Sequence, residues 1–328
     1  MPGRVTAPHP IRARWRTRWP SQAPLCFAAG RAFAVRYGVA LCMAFAAGAE
    51  ASESGAVDAV SCLERTASQE AGNHGPGKRR TLEQAVVVMV RPAGDLVLAD
   101  GTVLRLAGVA GGGGAIEVRW RALLTRLVAG REIVFAPGGQ PDRYGRRPAL
   151  VRVVLPRDIR AGVSVERVDA EASTATLQQA LLGAGVALTR PEESISGCLP
   201  ALMAAEASAR RAGRGLWRRL PLDARNVEAI RAEQGRFTII TGRILDVGKA
   251  RRMDYLNFGP VWRQDMTGRI GSAGRAALGA HGVAPEALAG RRVRLRGTVF
   301  ESGGPAVDIR HPAQLEWADG GDDDRADE

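Results

Sequence analysis

Lysine is almost missing from this chain. Of 46 basic residues, only Lys78 and Lys249 are not arginine. That bias fits a GC-rich coding sequence, so the arginine count alone argues for no function. Aromatic residues make up 5% of the 328 positions, and there are four histidines. A lone histidine without cysteine or aspartate beside it, such as His311 before Pro312, carries little signal for a site. Cysteines are also few. Cys62 and Cys198 lie outside the N-terminal leader, and with His74 they make too poor a set for a structural zinc, which takes four Cys or His ligands. The apolar core from Gly38 to Gly48 is shorter than the roughly 20 residues that a membrane-spanning helix needs. No stable membrane span is therefore expected once the leader is removed.

What is present is length and apolar content. At 328 residues and 45% hydrophobic composition, the chain is long enough for two domains with ample core. Residues 1–51 hold seven arginines and one glutamate. A basic front, an apolar core and small residues at Ala49-Glu50-Ala51 form the pattern of a secretory signal peptide, with cleavage near Ala51 and a periplasmic or secreted destination. Residues 52–80 are a polar N-terminal extension ending in GNHGPGKRR. In an oxidising compartment, Cys62 and Cys198 would form one disulfide, and in a reducing one they would be two buried thiols. The tail 319–328 carries six acidic residues and one arginine and reads as disordered. Between leader and tail, 38 basic residues face 27 acidic ones. Such a balance suits nucleic acid or another polyanion as partner, though solubility alone would explain it equally well.

The stretch from Val86 to Val154 organises the rest. Val86 to Val90 is a β-branched run stopped before Pro92, and Asp100-Gly101 sits between two apolar runs as a hairpin signal. Ile116, Trp120, Leu123, Leu124, Leu127 and Val128 recur at helical spacing, with Gly130 at the C-terminal end. A further strand, the turn PGGQPDRYG and the run ALVRVV complete a small barrel with a polar site on one face. Asp95, Arg105, Asp142, Tyr144 and Arg146 are the residues able to do chemistry there. Arg105, within an apolar strand, must find an anion or a carboxylate, because an unpaired buried charge is costly. Two convergent arginines can hold a phosphate from two sides. Alternatively, each pairs with a carboxylate such as Asp95 or Asp142.

AGDLVLADGTVLRLAGVAGGG, DRYGRRPALV, LQQALLGAGVAL and CLPALMAAEASARRAGRGLW occur in the order of a known pattern. Across about residues 80–219 the chain resembles the staphylococcal nuclease (thermonuclease) family, an OB-fold five-stranded barrel with calcium-dependent phosphodiesterase activity in its active members. The resemblance implies that Arg105 and Arg146 are the two phosphate-binding catalytic arginines. It likewise implies that Asp95 is a calcium ligand and that Arg143 and Tyr144 contact bound nucleotide. The departures are as telling. Ala110 replaces the second metal aspartate, Gly113 the water-activating glutamate, Ala93 the first aspartate of the family's DGDT, and Leu96 its threonine. Calcium takes six to eight oxygens, and loss of a general base costs about 10²–10⁴ in rate. Glu117 is either a surrogate base or a first-turn helix residue favoured by the helix dipole.

The expected fold class is mainly β with flanking helices (α+β). It comprises an OB-fold barrel of the staphylococcal nuclease type over 81–219, a linker helix over 220–234 and a second small OB-like barrel over 235–318. In the second part FTIITGRILDVGKA, MDYLNFG, DMTGRIG, RRVRLRGTVFES and PAVDIRHPAQLEW are strands, and HGVAPEALAG is a helix between the third and fourth. Arginines interleaved with Tyr255, Phe258 and Trp262 suit single-stranded nucleic acid. Equally, the three aromatics fill a core and the arginines of RVRLRG lie on a solvent face. Earlier, Ser173-Thr174 is expected to cap the helix TLQQALLGAG, and Arg210 and Arg211 are expected to face outward. Two functions remain: an exported, catalytically degenerate nuclease-like protein that keeps a two-arginine phosphate pocket and needs no cofactor, or an active metal-dependent phosphodiesterase that uses calcium in an altered site.

Overall fold

The computed structural model describes residues 62–63, 82–111, 115–153, 176–261 and 264–318. The expected signal peptide, most of the N-terminal extension, Gly113, residues 262–263 and the acidic tail lie outside the described residues. Everything described belongs to one compact unit that spans Glu53–Glu328.

The first barrel is built from β1 (Glu83–Val90), β2 (Leu96–Leu98) and β3 (Val103–Leu106), followed by a short β4 (Val109–Gly111) and helix α1 (Ala115–Val128). β5 (Glu132–Pro137) and β6 (Arg147–Arg152) complete it. It closes in the order β1-β2-β3-β6-β5, with β3 and β6 parallel. β1 serves two neighbours, pairing through Val86 with β5 and from Val87 with β2. The register shift between Val87 and Met89 is a bulge, which bends and twists the strand enough to change partner. The hairpin at Asp100-Gly101 is as expected: Gly101 sits at φ 83°, and Asp100 accepts from the Thr102 N–H and hydroxyl. α1 turns Trp120, Leu124, Leu127 and Val128 onto the barrel core.

Two helices and a strand follow: α2 (Leu177–Gly183), β7 … reached in the chain after β6 as Ala187–Thr189, and α3 (Leu199–Arg211). Thr176 caps α2 in a reciprocal capping box with Gln179, so the cap lies later than the expected Ser173-Thr174 pair. Gln178 is fully buried, donating to the carbonyls of Ala107 and Ala149 and accepting from Val151 N–H, which pins the ends of β3 and β6. β7 pairs with β4, bringing Thr189 opposite Val109. A disulfide joins Cys62 to Cys198, whose Cα atoms are 5.1 Å apart, within the normal span of such a bond.

Beyond β8 (Leu222–Asp223) and the short α4 (Val227–Arg231) lies an eight-stranded sheet. Its later members are β9 (Phe237–Arg243), β10 (Asp246–Lys249), β11 (Met253–Asn257), β12 (Thr267–Gly271), β13 (Arg292–Glu301), β14 (Pro305–Ile309) and β15 (Leu315–Trp317). Helix α5 (Ser272–Ala280) connects β12 to β13. The pairing order is β10-β11-β12-β14-β13-β9-β8, with β15 on β13 and β12 parallel to β14. β9 and β10 are one passage of chain that changes partner. Ile244 N–H donates to the carbonyl of Arg291, next to β13, and Leu245 N–H to that of Asn257 on β11. Counted as one strand, they give the strand order of the first barrel.

Three expectations for this part need correction. The connecting helix is SAGRAALGA, whereas within HGVAPEALAG only Pro285–Leu288 forms a 3₁₀ turn. Arg294 and Arg296 do not face solvent; they are 5% and 1% exposed, because the face of β13 that carries them is covered by α3 and β15. Arg210 on α3 points inward to the same place, where Glu316 receives Arg210, Arg294 and Arg296, and Arg296 also reaches the buried Glu206 at 2.6 Å. Phe258 lies in the core, as its simpler reading has it. A second apolar seam of Leu188, Ala209, Leu216, Trp217 and Ile239 joins the first barrel's helical end to β9.

Candidate anion-binding site

A cavity of about 320 Å³ opens between the first barrel and the start of β9. Asp95, Arg105, Glu117, Trp120, Arg146 and Arg190 line it from one side, and Gly235, Arg236 and Phe237 from the other. Trp120 is its packed wall. A Cβ on Gly94, at φ 88°, would come within 2.7 Å of the indole Nε1, and one on Gly111 would meet the indole Cε2 at 3.0 Å. Gly94 therefore needs glycine to let backbone and indole meet, and Gly111 leaves little room for more.

Arg105 reaches the site because strand alternation buries Leu104 and Leu106 and turns the residue between them outward. Its guanidinium meets Glu192 bidentately, Nη1 to Oε1 at 2.7 Å and Nη2 to Oε2 at 2.8 Å. That hydrogen-bonded carboxylate raises the Arg105 pKa. The partner is thus neither Asp95 nor Asp142. Glu192 arrives through the β4–β7 pairing, whose last link is the Arg190 N–H donating to the Gly108 carbonyl at 2.8 Å.

Arg146 is placed by the DRYGR turn. Asp142 accepts from the N–H groups of Tyr144 and Arg146 and from Arg146 Nε at 2.8 Å, while Gly145 supplies the positive φ of 73°. Hydrogen bonding to Arg146 lowers the Asp142 pKa to about 2. Asp95, 6% exposed, lies 3.5 Å from Arg146 Nη1. The structure thus brings Asp95, Arg105 and Arg146 to one cavity. Arg143 and Tyr144 sit beside it instead of lining it. The Tyr144 ring is exposed, with Arg143 and Arg146 at 4.8 and 5.1 Å from its centroid.

Sequence reasoning missed Arg190, Glu192 and Phe237. The signal was the pair of charges flanking Pro191 directly after the apolar VALT. The Arg190 guanidinium lies over the Phe237 ring, 5.2 Å from its centroid, and burial is the main cause that lowers its pKa.

The donor set does not fit calcium. Among the described residues that line the cavity, Asp95 and Glu117 are the only carboxylates, and Asp95 faces a guanidinium. Ala110 lies opposite Leu188 on β7, and no group of three or more His, Cys, Asp or Glu suited to a metal exists among the described residues. Calcium needs six to eight oxygens. Glu117 is an exposed first-turn residue of α1, a position the helix dipole favours, and it also lines the cavity. No family model matches this chain, and no curated protein does.

Proposed function

We propose that this chain is an exported relative of the staphylococcal nuclease (thermonuclease) family whose catalytic site has become a phosphate-binding pocket for nucleic acid or another polyanion. One observation carries the proposal: Arg105 on β3 and Arg146 in the DRYGR turn line a single cavity that offers no set of calcium ligands among the described residues. Guanidinium forks match phosphate oxygens bidentately and keep that ability without a metal. The closed five-stranded barrel with its helix between β3 and β5 is compatible with that ancestry. The Cys62–Cys198 disulfide suits an oxidising compartment.

An active metal-dependent phosphodiesterase is the second reading. It is favoured by Glu117, which shares the cavity with Asp95 and would have to serve as base. The test is incubation of the chain with single-stranded DNA and RNA, in calcium and in chelator, beside Arg146→Ala. Binding without cleavage, weakened about tenfold or more by Arg146→Ala (about 1.4 kcal/mol), is the expected outcome. Calcium-dependent cleavage abolished by the substitution would replace the first reading with the second.

A further inference from the structure

We infer that Arg190 is the anchoring cation of this cavity, and that a bound phosphate lies at the junction of the two β units, against Phe237. The inference rests on the phosphate-pocket reading and adds the residue that receives the ligand and a role for the second β unit.

The two arginines that the sequence points to are already engaged. Arg105 has both carboxylate oxygens of Glu192, and Arg146 has Asp142 and Asp95. An anion arriving there must displace a carboxylate of the chain. Arg190 lines the same cavity but has neither an ion pair nor a side-chain hydrogen bond among the described residues. What holds it is backbone pairing to Gly108 on one side and the ring of Phe237 on the other. A guanidinium over an aromatic face with no side-chain hydrogen bond keeps its N–H groups available to take a phosphate bidentately.

Phe237 is fixed in its turn. It packs with the seam of Leu188, Trp217 and Ile239, and the Thr238 and Ile239 that follow it are buried. The second β unit therefore forms one wall of the site. A partly buried guanidinium whose counter-charge, Glu192, is hydrogen-bonded to Arg105 instead is unfavourable when the cavity is empty, and an oxyanion relieves that cost. A cavity of about 320 Å³ is at the small end of ligand sites, room for one phosphate and part of its sugar. The phosphate can be terminal or lie within a strand.

The experiment is thermal unfolding and fluorescence anisotropy on the full chain, without ligand, with inorganic phosphate, and with a labelled single-stranded oligonucleotide bearing or lacking a terminal phosphate. Arg190→Gln, Arg190→Lys, Arg146→Ala and the exposed Arg225→Gln are compared. Arg190→Gln is expected to leave the ligand-free melting temperature unchanged or higher, to abolish the phosphate-dependent rise and to weaken oligonucleotide binding at least tenfold. Arg190→Lys recovers part of the binding, and Arg225→Gln behaves as the native chain. A preference for the phosphorylated end assigns the ligand as a terminal phosphate, and equal binding assigns it as an internal one; either supports the anchor if Arg190→Gln removes it. A lower ligand-free melting temperature in Arg190→Gln would overturn the inference by making the residue structural. Native-like binding by Arg190→Gln while Arg146→Ala is weakened would overturn it and leave the pocket standing. No binding by the native chain would remove both.

Discussion

At the scale of single residues, the cavity is set by which carboxylate each arginine meets. Glu192 takes the Arg105 fork with both oxygens, the position a phosphate would occupy. Glu192→Gln is therefore expected to raise affinity for a phosphorylated oligonucleotide about tenfold (roughly 1.4 kcal/mol), read by anisotropy at fixed salt. A fall in affinity would show that Glu192 orients Arg105 instead of competing for it. Asp142 acts the other way, as a clamp on Arg146. Its pKa is lowered to about 2 by that arginine, so the pairing contributes fully above the ordinary carboxylate value near 3.8 and is lost as pH falls through about 2. The turn should hold from pH 8 down to pH 4, with Asp142 titrating near 2 in an NMR carboxyl titration. A midpoint near 4 would mean that the clamp does not form. Arg105, Arg146 and Asp95 were legible in the sequence because local motifs mark them. Glu192 and Arg190 were not, since their position depends on β7 pairing with β4.

Among the elements, those with local signals were readable and those without were displaced. The Asp100-Gly101 hairpin and α1, with its apolar stripe ending at Gly130, follow from short-range chemistry. α5 was misplaced because SAGRAALGA has no capping side chain at Gly271 and contains two helix-weakening glycines, Gly274 and Gly279, whereas HGVAPEALAG carries a proline start and a glycine stop for what is a single 3₁₀ turn. The 3₁₀ turn after β14 carries a pH-sensitive cap. Nδ1 of His311 accepts from the Ala313 N–H, and burial is the main cause that holds its pKa below 6.5. The neutral form is the folded one, so this contribution is complete above about pH 6.5 and falls away as pH drops through the lowered pKa. His311→Asn keeps an acceptor and should flatten the decline in melting temperature between pH 6.5 and 5. An unchanged slope would place that dependence elsewhere. Gly94 marks the place where the turn between β1 and β2 meets Trp120 of α1. Gly94→Ala combines positive φ with a clash against Trp120 and should lose about 1–3 kcal/mol in denaturant unfolding, while a neutral result would mean that Trp120 can move.

Across the whole molecule, two units of like strand order are held together by an apolar seam and a buried ionic cluster. Alternation in RVRLRG placed Arg294 and Arg296 on one face of a strand, but period alone cannot say whether that face meets water or another element's carboxylates. Here it meets Glu206 and Glu316. Burial pushes the Glu316 carboxyl up, and Arg210, Arg296 and Arg294 together bring it below its ordinary value. Arg296→Met strands Glu206, which is 2% exposed, and should cost about 3–5 kcal/mol in urea unfolding. Adding Glu206→Met should recover much of that loss, and equal losses in the single and double variants would contradict a paired role. Glu206 also accepts from Thr189 N–H, so the cluster holds the strand that leads to Arg190. The measurement that bears most directly on the proposed phosphate pocket is the salt dependence of single-stranded oligonucleotide binding by the full chain in chelator, beside the double variant Arg105→Ala/Arg146→Ala. Metal-free, salt-sensitive binding with a reduced salt slope and at least tenfold lower affinity in the variant is the expected result. Equal binding by both proteins, or binding that requires calcium, would contradict it.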